Sequence, residues 1–198
     1  IHLASAIADF IAAYPEVRVE TVLNDRFIDP VQEGFDLTIR IADLPDSSLI
    51  ARKIAPAKRI LCAAPDYLRD KGAPSHPVDL RYHSCLHYGY LPTGNTWRFE
   101  GDKGRHSVLI NGVLCSNNGE FLMASAVKGL GIALLPSFIV GAELQAGRLV
   151  SVLTDYQMPE IAIYAIYPPN RHLSAKIRLL IDFLAARFGD TPYWDLVS

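Results

Sequence analysis

The chain has 198 residues, half of them hydrophobic, with 19 Lys and Arg against 21 Asp and Glu and a formal net charge of −2. That length buries one substantial core or two small lobes, and the near-neutral, interleaved charge excludes a basic nucleic-acid groove built from these residues. No apolar run approaches the roughly 18 residues that cross a bilayer, so no membrane partner is expected, and the opening residues read as an amphipathic helix rather than a secretory leader.

Ile7, Phe10, Ile11 and Tyr14 recur at helical spacing, and Tyr14-Pro15 ends that helix. Val17, Val19, Thr21 and Leu23 then alternate with Arg18, Glu20 and Val22, which predicts a strand. Asp29 to Gly34 has an N-cap, a proline at the first position and a glycine stop, the marks of a short helix. Asp36 to Ile41 is the next predicted strand. Strand, helix and strand make a βαβ unit, so a parallel sheet is expected here. A helix feeding such a strand ordinarily follows another strand, and a first strand of this lobe is therefore expected to be missing.

Asp43–Ser48 is a turn-rich loop, Lys58–Ala64 a strand, and Pro65 opens a short helix ending near Gly72. Cys85–Tyr90 reads as a strand, and Trp97–Phe99 with Val108–Val113 as an antiparallel pair joined by the Gly101–Gly104 turn. Asn117 stands three residues before Glu120, a capping-box spacing for a helix that Gly129 stops. Ile132–Leu135 is a buried strand, Phe138–Ala146 a helix, and Leu149–Leu153 and Ile161–Tyr167 are strands. Ile177, Leu180, Ile181, Leu184 and Phe188 form the apolar stripe of a last helix.

The stretch KGLGIALLP (residues 128–136) tests a nucleotide reading. A dinucleotide loop runs from strand to glycines to helix, so that the helix N-terminus faces the phosphates. Here the order is reversed, and Leu134 occupies the position of the third glycine. The nucleotide reading fails.

The opposite end of that helix is more useful. Backbone N–H groups at 118–120 and the Asn117 and Asn118 amides can hold a carboxylate, or Asn117 can serve only as a cap. Arg40 lies near the end of its strand, where ligands of open α/β sheets collect, and either reaches a cleft or pairs on the surface. Asn24, Asp25 and Arg26 follow the preceding strand and face the same edge. Tyr88 and Tyr90 offer aromatic walls or simple packing.

His83, Cys85 and His87 share one face of a strand, but the outer pair spans about 13 Å, too far for one ion. No metal or other cofactor is expected. No nucleophile meets a base in any familiar motif, so no catalytic residue is assigned and the chain is read as a non-enzyme. Cys62, Cys85 and Cys115 are widely spaced beside apolar residues and are expected to be reduced, buried thiols.

Four segments, QEGFDLTIRIADLPDSSLIARKIAP (residues 32–56), ILCAAPDYL (60–68), SAVKGLGIALLPSFIV (125–140) and LIDFLAARFGDTPYWD (180–195), together resemble the effector-binding domain of LysR-type transcriptional regulators. The resemblance implies an α/β, two-lobed, periplasmic-binding-protein-like (type II) fold with a cleft between lobes. Lobe one would comprise residues 1–62 plus 165–198, and lobe two residues 63–164. It further implies a small-molecule effector and a homodimer in which the first helix of one subunit packs on lobe two of the other. DNA would be contacted only through an N-terminal domain outside this chain, and the setting would be cytoplasmic. The family's cleft maps onto Asn24 and its neighbours, the Tyr88–Tyr90 wall and the Asn117–Asn118 helix end. The alternative expectation is a periplasmic solute-binding protein, a transport module of the same fold.

Overall fold

The computed structural model describes residues 2–24, 34–42, 50–91, 93–102, 104–167 and 173–195. These fall into two compact units, one of residues up to Ala57 together with those from Ile161 onward, the other spanning Lys58–Glu160.

In the first unit, α1 (His2–Ala13) buries Ala6 and Phe10, one helical turn apart. The chain then forms β1 (Thr38–Ala42) and β2 (Ile50–Ala57). The second unit carries β3 (Arg59–Ala63), α2 (Pro65–Lys71), a 3₁₀ turn (Pro77–Tyr82), β4 (Ser84–Tyr88), β5 (Thr96–Gly101), β6 (Gly104–Leu109) and β7 (Asn111–Ser116). It continues with α3 (Gly119–Val127), β8 (Ile132–Pro136), α4 (Ser137–Gln145) and β9 (Val150–Ser151). The chain returns to the first unit with β10 (Ile161–Tyr167) and α5 (Ala175–Phe188).

The sheet of the first unit has the order β1-β10-β2, with both ladders antiparallel. This corrects the expectation of a parallel sheet: β1 and β2 do not pair with each other, because the late strand β10 lies between them. IAIYAIY suits that central place, since five of its seven residues are buried. Val17–Leu23 is also corrected. It forms no ladder among the described residues, with Val22 61% and Leu23 89% exposed. Alternation marks a segment that can pleat, but a strand needs an edge to pair with. The predicted Asp29–Gly34 helix and the Asp43–Ser48 loop lie outside the described residues, apart from Gly34, which turns with φ +75°.

Strand β2 was not anticipated. It is an edge strand, so Pro56 removes no needed donor, and its register slips between Ala55 and Lys53 opposite Ile163 and Tyr164, which bulges Ile54. On α5, Ile181, Leu184 and Phe188 are buried. Phe10 meets Phe183 edge-on at 5.4 Å, and Arg187 pairs with Asp9 at 2.6 Å, joining α1 to α5.

The second unit is built on a five-stranded mixed sheet, β7-β4-β8-β3-β9. Strand β4 runs parallel to β7 and β8, while β3 runs antiparallel to β8 and β9. Side-chain alternation divides its core into two layers. On one face Leu61, Ala63, Cys85, Ile132 and Leu134 pack with Tyr67, Leu80, Trp97, Phe99 and Val108. On the other, Cys62, Leu86, Ala133 and Leu135 pack with Leu122 and Ala126 of α3 and Val140 of α4.

The predicted Val108–Val113 strand is in fact two strands. β6 ends at Leu109, Ile110 donates its N–H to the Asn95 carbonyl at 2.9 Å, and β7 leaves to join the larger sheet. Leu149–Leu153 contributes only its Val150–Ser151 step to a ladder. Cys62 and Cys85 are buried, and burial pushes both thiols up to about 12. Cys115 is exposed, against expectation, because it sits on β7, an edge strand. No helix among the described residues is long and apolar enough to cross a membrane.

Candidate functional site

The carboxyl ends of the parallel strands β4 and β7 meet in register, with Tyr88 opposite Ser116. Gly89 donates its N–H to the Ser116 carbonyl at 2.9 Å, and a tight turn brings Leu91 N–H to the Tyr88 carbonyl at 3.2 Å. This turn folds Tyr90 back so that its ring stands edge-on to Tyr88, centroids 6.0 Å apart at 80°.

The start of α3 adjoins this edge. Ser116 Oγ accepts the Asn118 N–H at 3.1 Å, and Asn118 Oδ1 accepts the Phe121 N–H at 2.8 Å. Asn118 is therefore the N-cap, and the capping role expected of Asn117 with Glu120 is overturned. The cause is that β7 runs on to Ser116, which moves the first helical residue to Gly119. Asn117 is left as an exposed bend residue beside the cap. The amides of Gly119 and Glu120 open the helix ahead of the intrahelical ladder and carry the positive end of its dipole.

Tyr88, Tyr90, Asn117 and Asn118 thus lie along one edge of the second unit. Asn24 and Arg40 belong to the first unit, and Asp25 and Arg26 lie outside the described residues. Asn24 is exposed and follows Val17–Leu23 directly. Arg40 is half-buried on β1 directly opposite Tyr164, and burial draws its guanidinium below the ordinary arginine range. Ser116, which seats the cap, and Tyr164, which shares a sheet face with Arg40, escaped sequence reading. The Ser-Asn-Asn run was the available signal for the first, and the register that places Tyr164 against Arg40 is invisible without β10.

Gly129 and Gly131 lie on the turn from α3 into β8. Gly129 has φ +77° and ends the helix, while a Cβ on Gly131 would stand 2.3 Å from the Ser84 carbonyl oxygen. The second glycine therefore serves a close backbone approach to β4. The histidines on and beside β4 are also engaged structurally. His83 Nδ1 meets Tyr67 OH at 3.2 Å, and His87 packs its Nδ1 where a side chain on Gly112 would begin, 2.9 Å from that Cβ position. Among the described residues no group of three or more His, Cys, Asp or Glu is arranged for a metal ion.

The sequence model of the LysR substrate binding domain matches residues 1–189. The chain belongs to that family. The transcriptional regulator PtxR of Pseudomonas aeruginosa is 34% identical over 192 residues, covering 97% of this chain and 62% of the relative. DmlR of Escherichia coli is 37% identical over 190 residues, covering 95% and 61%. Among solved structures, CrgA, a LysR-type transcriptional regulator from Neisseria meningitidis, superposes with a TM-score of 0.83 at 27% identity, over 95% of this chain and 64% of its own. The chain spans about three-fifths of the length of the curated relatives it matches. Family membership carries the two-lobed, type II periplasmic-binding-protein-like α/β fold expected from the resemblance.

Proposed function

We propose that this LysR-family domain senses a small organic anion, and that it does so as part of a cytoplasmic transcriptional regulator acting by binding rather than by catalysis. The effector would be held by Asn118, Asn117, Tyr88 and Tyr90 in the second unit and by Asn24, Arg40 and the Asp25–Arg26 segment in the first. The lobes would follow the two compact units, with residues up to Ala57 and from Ile161 onward in one and Lys58–Glu160 in the other, and DNA contact would belong to an N-terminal domain outside this chain. The carrying observation is the junction of the Tyr88–Tyr90 pair with the α3 N-terminus at one sheet edge. Oriented amides and an asparagine there suit a carboxylate, and two aromatic faces suit its carbon skeleton. The homologues are regulators rather than transporters, which favours this reading over a solute-binding protein.

A homodimer is the proposed assembly, with α1 of one copy on the second unit of the other. Its support is the outer side of α3, where Phe121, Ala124, Ser125, Lys128, Gly129 and Leu130 line a shallow depression and Phe121 and Leu130 are about half exposed. Large exposed apolar side chains grouped in this way mark association surfaces.

The test is a thermal-shift screen of small carboxylates, amino acids and aromatic acids. A ligand at one hundred times its Kd adds about 2.7 kcal/mol of stability. A shift from one compound class that Tyr90→Ala and Arg40→Ala each reduce supports the assignment. A shift that neither substitution alters sinks these residues as the site, and an effector that is strictly cationic sinks the anion.

A further inference from the structure

Leu153, just past the short strand β9, is the one non-glycine among the described residues with a left-handed backbone, φ +54°. Side chains of this kind rarely take that conformation, and it persists where the surroundings impose it. Val152, immediately upstream, donates its N–H to the Leu61 carbonyl of β3 at 3.0 Å. The Tyr156 N–H closes a turn on the Leu153 carbonyl at 3.0 Å. Gln157 and Glu100 of β5 then exchange both backbone bonds, at 2.7 and 2.8 Å, as an isolated antiparallel bridge. The Tyr156 ring lies over Gly101, where a Cβ would stand 2.9 Å from two ring carbons. It also stands edge-on to Phe99, His76 and His106 at 6.5, 5.6 and 5.7 Å. Leu153 itself is half-buried against the core layer beneath the β5–β6 hairpin.

Beyond the bridge the Pro159 carbonyl accepts a bond from Arg59 Nη1 at 3.1 Å, and β10 begins at Ile161. Residues 153–159 thus form a strap fastened to β3 at both ends and to the hairpin between them. Thr154, Asp155, Gln157 and Glu160 are exposed, so the bridge bonds compete with water and hold weakly. The left-handed backbone at Leu153 works against them. The strap's place in the chain gives this a consequence. It ends where the second unit gives way to the first, at Glu160–Ile161, one of two such connections among the described residues.

We propose that residues 153–159 are a strain-loaded strap whose release lengthens the chain connection at Glu160–Ile161. Closed, the connection starts at Pro159, held by Arg59. Open, it starts at Val152, which the Leu61 carbonyl retains, and each freed residue adds up to about 3.3 Å of reach. Segments of this kind open while the sheet beneath them stays folded. The strain and the fasteners belong to the strap itself, so the proposal does not depend on the effector assignment.

Hydrogen exchange of the full 198-residue chain should find the Glu100, Tyr156 and Gln157 amides opening as one set. Their protection should be at least about tenfold below that of the β3–β8 ladder. Leu153→Ala and Leu153→Gly both remove the packed side chain but differ in the left-handed region. The glycine variant should therefore protect those amides about fivefold better than the alanine variant. Chymotrypsin should also cut native Leu153→Ala after Tyr156 about fivefold faster than native Leu153→Gly, because cleavage follows the open population. Equal protection in the two variants, the reverse order, or strap amides as slow as the ladder would overturn the strap. Amides that open while Tyr156 stays uncut would mean that Pro159 is still held, and would overturn the lengthened connection. Should Leu153→Ala not fold, Gln157→Pro removes one bridge donor at an exposed position. Glu100 and Tyr156 should then lose protection together, and loss at Glu100 alone overturns the strap.

Discussion

Gly131 lies against the backbone of Ser84, with the place of a missing Cβ 2.3 Å from the Ser84 carbonyl oxygen and 2.9 Å from its carbon. Backbone cannot step aside as a flexible side chain can. Gly131→Ala is therefore expected to cost about 1–3 kcal/mol, as overpacking does, and to lower the melting temperature by several degrees. Gly129→Ala, two residues earlier at φ +77° in open space, should cost only about 1 kcal/mol. Urea unfolding of the two variants separates a steric from a conformational penalty.

Asn118 and Asn117 are neighbours with unequal roles. Removing the Asn118 cap should cost about 1 kcal/mol, whereas Asn117→Ala should stay within about 0.5 kcal/mol of wild type. Equal effects in denaturant unfolding would place the cap on the wrong residue.

His83 sets a direction for the pH dependence of stability. Burial lowers its proton affinity in the folded state against the weaker pull of Asp79. As pH falls below about 6.5 the unfolded chain takes up this proton first, so stability declines toward the folded-state value and levels off beneath it. Melts at pH 7.5, 6.5 and 5.5 should show this fall, and His83→Asn should flatten it.

The three cysteines should divide sharply under a soluble thiol reagent. Cys115 is exposed, while Cys62 and Cys85 are fully covered and their thiolates disfavoured. Mass spectrometry should find one label on the native protein, at Cys115, and three after denaturation.

The proposed dimer rests on the outer side of α3. Phe121→Glu or Leu130→Glu should shift sedimentation toward the monomer with little effect on melting, since both side chains are about half exposed. A dimer that survives both changes would move the interface elsewhere.

Sequence patterning reached local structure well and pairing poorly. The helices α1, α2, α3 and α5 are encoded by apolar stripes and their stops, and the reversed order around Gly129 and Gly131 was enough to reject a phosphate loop. What escaped was long-range. Val17–Leu23 alternates yet has no ladder among the described residues, and Ile50–Ala57 holds a proline yet has one, because strand identity is decided by the neighbouring edge. The Val108–Val113 run divides at Ile110 for the same reason, each half answering to a different sheet. At the candidate site, Tyr88, Tyr90 and the asparagines could be picked out by residue type, but the one-residue shift of the cap followed from where β7 ends.

The position of β10 also orders events at the ribosome. Thr38–Ala42 and Ile50–Ala57 emerge early, but among the described residues each pairs only with Ile161–Tyr167, which is made after the whole of Lys58–Glu160. The uninterrupted unit can finish its five-stranded sheet while the flanking one still lacks its central strand. Until that strand arrives, β1 and β2 must wait with open edges, the period in which a nascent chain most needs a chaperone.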